Sequence, residues 1–485
     1  MKKNSTPDQS INYESNEDLQ FQIQGKVIKK NFSFLFVAET LIRILTFVMT
    51  VMAAQFYGPE RFGVYTLALS VSALFETIFN LGINTVFMQR VSGTPGKISQ
   101  ELGLFLPLKL LINFISIIFF TLFIFVMQKN GETTYTLLLS GIYTNIFSII
   151  TFLWCCFDAK QKMEYTAINK LIKFGIIFSL GLIFILQKLP IYFLMYAFIT
   201  GGIVSFIVTG IIIKKTLTTI NLRNNFFEWK EIMKQGLPIA ISGTFVFIYS
   251  YLDTIIISFT KGESAVGMYQ TSYKIIGTIF ILGTLINQAY FPSLIKTFQE
   301  APEKLSKIYE KSLKSSLFWS IPSSLGGFIL AERIILFVYG KDYIDGIMPF
   351  KILIFNCIIY FVSSSMTNLL YATKDQKKIM WIFFCGAAFN TISNLLIIPW
   401  YGINGAAATT LLAEIIVLIG ISNEAKKRAE IRLLELSMKP LMSGAIMSIV
   451  LLNTHFESIL ITVALGGGVY MGSYFVLEKI QQQRT

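Results

Sequence analysis

The sequence predicts an all-α, polytopic membrane protein of about 14 transmembrane helices, built as two pseudo-symmetric six-helix bundles plus two C-terminal helices. Three observations predict it. Of 485 residues, 54% are hydrophobic and 14% charged, and the mean hydropathy is +0.62, more apolar surface than a soluble fold buries. That apolar content is gathered into long runs near the length a helix needs to cross hydrocarbon. Finally, the spacing G-x4-G-x-Y of Gly58, Gly63 and Tyr65 returns at Gly262, Gly267 and Tyr269, each time ahead of a long apolar run.

Taken in order, residues 1–31 form a polar tail of mixed charge, expected to be flexible and cytoplasmic, without the short apolar core and cleavage site of a secretory signal. The runs follow at 33–54, 64–88, 103–127, 135–156, 169–186, 190–213, 236–259, 269–295, 317–338, 348–371, 377–398, 404–421, 437–453 and 457–477. Gly58 and Pro59 separate the first two. The repeat pairs the first run with the seventh and the second with the eighth. It divides the chain into an N-terminal bundle at 32–213, a linker at 214–235, a C-terminal bundle at 236–421, and a final segment at 422–485 holding a loop, two extra helices and a short tail. Because six is even, the two copies share one orientation and are related by an axis along the membrane normal.

The formal charge of +13 would point to nucleic acid in a soluble chain. Here the cations sit in short connections and report orientation instead. With the N-terminus inside, 31 of the 41 Lys and Arg fall on the inner side, including residues at run edges such as Lys170 and Lys173, and five fall outside. An even number of spans with both termini cytoplasmic follows. In the linker, Phe226, Phe227, Trp229, Ile232 and Met233 mix with Lys230 and Lys234, a pattern for a helix lying on the anionic inner leaflet. The connection at 296–316 reads the same way. No outer connection is long enough to hold a catalytic domain.

Enzyme signatures are absent. His455 is the sole histidine, which excludes H-E-x-x-H sites and histidine-based triads. GTPGKIS at 93–99 lacks the first glycine and the hydroxyl residue of a phosphate loop. Cys155, Cys156, Cys357 and Cys385 form no C-x-x-C pair and read as small hydrophobes. No catalytic residue, metal or cofactor is expected.

Several segments together carry a family resemblance: GPERFGVY from Gly58 with Arg90, DAKQKMEYTAINK from Asp158, GLPIAIS from Gly236, YLDTIIISF and VGMY around Asp253 and Tyr269, VYGKDYIDG from Val338, and PWYGINGAAATTLLAE from Pro399 to Glu414. In order and spacing, over residues 30–480, the chain resembles the polysaccharide repeat-unit flippases of the multidrug, oligosaccharidyl-lipid and polysaccharide exporter superfamily. The resemblance implies two six-helix bundles around a central cavity, and export of an undecaprenyl-diphosphate-linked oligosaccharide to the outer leaflet of a bacterial cytoplasmic membrane. It also implies a polysaccharide polymerase and glycosyltransferases as pathway partners.

Ionisable side chains inside the spans are the functional candidates, since each costs about 2.5 to 3.5 kcal/mol on insertion scales. Arg43 lies near the middle of the first run with Glu39 one turn earlier. Either the two neutralise each other, or Arg43 faces the cavity and its planar fork grips a diphosphate. Lys109 and Lys274 either snorkel to an interface or join it at the substrate. Arg90 either records orientation or acts at the mouth of the second run. Glu76, with Asn80 one turn on, Asp253 and Glu414 either pair with cations or couple Na+ or H+. Four acids against three deep bases is awkward for an anion site. A cation-coupled drug exporter of the same superfamily is therefore the alternative, and a membrane polymerase or ligase a more distant one.

Overall fold

A computed structural model describes residues 11–92, 97–216, 222–430, 433–454 and 456–482. The sole histidine, His455, and most of the GTPGKIS segment lie outside the described residues. Those described are helical, with no strand among them. The helices are α1 (Ile11–Asn80), α2 (Ile83–Val91), α3 (Ile98–Met127), α4 (Gly131–Ala159), α5 (Met163–Leu186), α6 (Phe193–Thr216), α7 (Phe226–Glu300), α8 (Leu305–Ile329), α9 (Ala331–Tyr339), α10 (Ile347–Leu353), α11 (Asn356–Ala372), α12 (Gln376–Lys426), α13 (Leu433–Asn453) and α14 (Ile459–Gln482).

Among the described residues, ten helices are long and apolar enough to cross a membrane, or eleven if the pair α8–α9, bent by 79°, is one span. The fourteen expected runs are carried by fewer helices because three expected connections are not loops. The chain stays helical up to a single glycine, breaks there and resumes. The breaks are Gly58 in α1 (φ 74°, ψ 175°), Gly262 in α7 (φ 83°, ψ 178°) and Gly402 in α12 (φ 57°, ψ −140°). A side chain resists positive φ, so glycine is what permits each break. Gly58 and Gly262, paired by the sequence repeat, also share one backbone conformation. The second run is interrupted too, at Leu81 and Gly82, so that α2 starts afresh.

The repeat copies meet through glycine. A Cβ added at Gly63 would sit 1.7 Å from the Glu263 carbonyl oxygen, and one added at its counterpart Gly267 would sit 2.0 Å from that of Pro59. Backbone therefore lies on backbone where α1 and α7 cross, as small residues allow between membrane helices. Polar latches surround this crossing. The Tyr343 hydroxyl donates to the Ala54 carbonyl at 2.8 Å, Gln55 Nε2 to that of Val338 at 2.7 Å, and Lys129 Nζ pairs with Glu263 at 3.0 Å. At the opposite face, a Cβ at Gly236 would meet the Leu81 carbonyl oxygen at 2.3 Å, and one at Gly82 would meet that of Gly236 at 2.4 Å.

The linker is only partly helical. Asn225 caps α7, its side chain accepting from the Phe227 and Glu228 amides. The helix then runs unbroken into the seventh apolar run rather than forming a separate interfacial helix, because Gly236 and Pro238 both keep helical backbone angles. In its first turns Ile232 is fully buried and Trp229 Nε1 donates to the Leu104 carbonyl at 3.1 Å, while Phe226 and Phe227 are exposed. The expected flexible tail is also corrected in part. The backbone of α1 is helical back to Ile11, a stretch with one glycine and no proline. Three cysteines are buried, but Cys385 is exposed.

On the linker face, Arg428 grips Asp375 with two bonds of 2.7 and 2.9 Å, and Lys378 bridges Asp375 (3.2 Å) and Glu424 (2.9 Å). The Arg428 guanidinium holds the Asp375 carboxyl well below the usual carboxylate range. A depressed folded-state pKa adds stability that is complete above the ordinary carboxylate value and is lost as pH falls toward the depressed one. Acid melting curves should therefore fall more steeply below pH of about 4 for wild type than for Asp375→Asn; parallel curves would dismiss the cluster. Separately, Gly63→Val should lower the melting temperature sharply because backbone cannot yield. Wild-type melting of that variant would show that the crossing is not a rigid contact.

Candidate functional site

Arg43 opens onto a hollow between α1 and the part of α7 after Gly262. On α1 the wall includes Thr40, Arg43, Phe47 and Thr50, spaced three and four apart along one stripe, with Ile44 and Thr46 beside it. On α7 it includes Gln270, Tyr273 and Lys274. The hollow holds about 600 Å³. A second hollow of about 260 Å³ shares Thr40 and Arg43 and adds Glu39, Thr284 and Gln288. A third, of about 540 Å³, shares Tyr273, Thr284 and Gln288 and reaches into the later helices, where Asn356, Asn368 and Glu414 line it. The three are neighbouring chambers around one helix.

Two cations, Arg43 and Lys274, thus face one space. Of the two readings of Arg43, its neutralisation by Glu39 is the one that the geometry does not show. The Glu39 carboxylate takes Lys170 Nζ from α5 at 2.6 Å, because a cation arriving from a neighbouring helix reaches it at contact distance. Arg43 has no ion pair with any described acid. Like charges beside a water-filled space attract an anion, the more so between low-dielectric walls.

The other expected members go elsewhere. Lys109 is fully buried among the first helices and its ammonium has no hydrogen-bond partner among the described residues; it neither snorkels nor joins Arg43. Lys173, which the sequence placed at an inner edge, is equally buried. Its ammonium stands over the Phe147 ring at 3.7 Å and the Phe174 ring at 4.6 Å, and lies 3.4 Å from the Tyr143 hydroxyl. Both lysines act electrostatically on Glu76, so this acid belongs to a charge cluster apart from the hollow. Its position four residues into an apolar run was the one available sign of Lys173; the aromatic cage comes from α4 and from α5 itself and has no local signature.

Asp253 is buried as well. It accepts from the Tyr269 hydroxyl at 2.7 Å and from the Thr254 amide at 2.6 Å, while Gln270 Nε2 donates to the Thr254 hydroxyl at 2.7 Å. The tyrosine of the repeated motif is thereby explained on this side as a partner for a buried acid. Arg90 stands over Phe105 at 5.5 Å and 3.7 Å from Glu101, so it packs α2 against α3 rather than facing the hollow. The Asn80 side chain accepts from the Asn84 amide at 3.5 Å and serves the backbone at the start of α2.

A multi-pass helical membrane protein with charged hollows between repeat copies is a transporter in class. The family described as polysaccharide biosynthesis protein matches residues 28–298. The chain belongs to this family, the polysaccharide flippase branch of the multidrug, oligosaccharidyl-lipid and polysaccharide exporter superfamily. It is 24% identical over 415 residues to the capsular polysaccharide biosynthesis protein CapF of Staphylococcus aureus, covering 80% of this chain and 97% of that one. A putative O-antigen transporter of Escherichia coli K12 is 23% identical over 414 residues, covering 80% and 94%. In fold it is similar to the lipid II flippase MurJ in an inward closed conformation, with a TM-score of 0.77 at 19% identity over 92% of this chain and 99% of that one.

The buried charge cluster makes a direct prediction. Replacing Glu76 with Gln removes the acid that the two buried ammonium groups share and should lower the melting temperature by several degrees, whereas Lys109→Met should cost little or raise it. Equal losses in the two variants would contradict the cluster.

Proposed function

We propose that the protein moves an undecaprenyl-diphosphate-linked oligosaccharide repeat unit from the inner to the outer leaflet of the cytoplasmic membrane by alternating access. The observation that carries this reading is that Arg43 and Lys274 line one hollow while Arg43 has no described acid as partner. A diphosphate is the anion that a guanidinium fork and an ammonium hold together, and the prenyl tail stays in lipid. The repeat copies, 32–213 and 236–421, rock about the glycine crossings at the two faces, opening one side as the other closes. With both termini cytoplasmic, the linker face is the inner one. An inside-negative potential then assists export, by about 2.3 kcal/mol per charge per 100 mV. The polymerase and glycosyltransferases of the same pathway would consume and supply the substrate.

The drug-exporter alternative needs acids facing the hollow. Of the four, Glu39 lines the smaller hollow but is taken by Lys170, Asp253 is bonded by Tyr269, and Glu414 lines the 540 Å³ chamber rather than the hollow of Arg43 and Lys274. The test is transport of a prenyl-diphosphate oligosaccharide in proteoliposomes. Arg43→Ala and Lys274→Ala should each lose at least about 10-fold in rate, the loss of one charge-assisted contact, and Arg43→Lys should recover part of it. Wild-type rates in both alanine variants would overturn the proposal.

A further inference from the structure

We infer that the 540 Å³ chamber beyond Tyr273 is the subsite for the sugars, and that it selects neutral or amino sugars over acidic ones. The inference rests on the flippase reading and adds to it a location and a sugar class. Three observations carry it.

The chamber differs in chemistry from the cationic hollow it adjoins. Its lining contains no lysine or arginine, and Glu414 is the one charged side chain among the described residues that form it. The remainder is amide, hydroxyl and aromatic apart from two aliphatic side chains, Ile276 and Leu353. Such a wall offers donors and acceptors to hydroxyl groups but no counter-charge to a carboxylate, which Glu414 opposes when ionised.

One polar group there is unsatisfied. Asn356 is 6% exposed and lines the chamber, and its side-chain oxygen has no partner among the described residues. A buried acceptor left unpaired costs about 1 to 3 kcal/mol, so a ligand donor that meets it recovers that energy. Nearby polar groups are held in place. Asn287 Nδ2 donates to the Ser364 hydroxyl at 2.7 Å, and Asn368 Nδ2 donates to the Asn287 carbonyl at 3.2 Å, leaving the Asn368 oxygen as a fixed acceptor.

There is also an aromatic wall. The Phe280 and Tyr360 rings stack at 4.1 Å between centroids, and the Tyr360 and Thr284 hydroxyls lie 3.3 Å apart. Rigid rings beside anchored polar groups suit the apolar face and hydroxyl rim of a pyranose. Thr284 and Gln288 line both this chamber and the hollow that Arg43 shares. A diphosphate held at Arg43 would therefore direct the attached sugar this way.

The test measures affinities of the full-length protein in lipid nanodiscs for three probes: undecaprenyl diphosphate, the same lipid carrying N-acetylglucosamine, and the same lipid carrying glucuronic acid. Wild type should bind the N-acetylglucosamine lipid at least about 10-fold tighter than the bare lipid, and the glucuronic acid lipid less tightly than the neutral one. Asn356→Leu and Asn368→Leu, assayed separately so that one misfolded variant does not decide the matter, should collapse the ratio of glycosylated to bare affinity toward one. Glu414→Gln should narrow the gap between the neutral and acidic probes. An unchanged ratio in a folded leucine variant, or equal wild-type affinity for neutral and acidic sugars, overturns the sugar subsite and leaves the flippase reading standing. Failure of wild type to bind even the bare lipid overturns both.

Discussion

A charge placed in hydrocarbon must find an opposite charge, a ring of aromatic faces or water, and the interior of this protein follows from how each one is accommodated. Glu39 takes Lys170, Asp253 takes the Tyr269 hydroxyl, and Glu76 sits in the field of Lys109 and Lys173. Arg43 and Lys274 are accommodated differently: they face open space. The same physics that forces the other charges into private arrangements makes these two available to a ligand.

The frame that holds the space open is made of glycine. Gly63 and Gly267, equivalent by repeat, bring α1 and α7 into backbone contact, and Gly82 and Gly236 set the turn between α1 and α2 against α7 at the other face. Between these crossings the helices diverge enough to leave the hollows. The frame is near-symmetric, but its contents are not. By the repeat offset, Arg43 corresponds to Phe247 and Lys274 to Ser70, so neither cation has a charged mate. A symmetric scaffold with an asymmetric lining lets one side of the crossing open onto cations while its counterpart is shut by Leu81, Gly82 and Gly236.

Much of this was legible in the chain. The apolar runs, the repeat and the amphipathic start of α7 all depend on local composition and spacing, which helices in lipid express directly. Gly58 and Gly262 were recognisable as a pair, though not as single-residue breaks within continuous helices; a sequence shows where a helix can break but not how short the break is. Arg43 was identified because an arginine in mid-run has no bland explanation except Glu39. What removed Glu39 was a lysine 131 positions away, and no local pattern announces such a partner. Lys173 was hidden for the converse reason: a cation near a run edge satisfies the positive-inside rule and draws no further question.

The most direct measurement is calorimetric titration of the protein in nanodiscs with farnesyl diphosphate, a probe carrying the diphosphate but no sugar, comparing wild type with the double variant Arg43→Ala, Lys274→Ala. Binding by wild type that disappears in the double variant, with its fold intact by melting, is the result this account predicts. Undiminished binding in the double variant would contradict it.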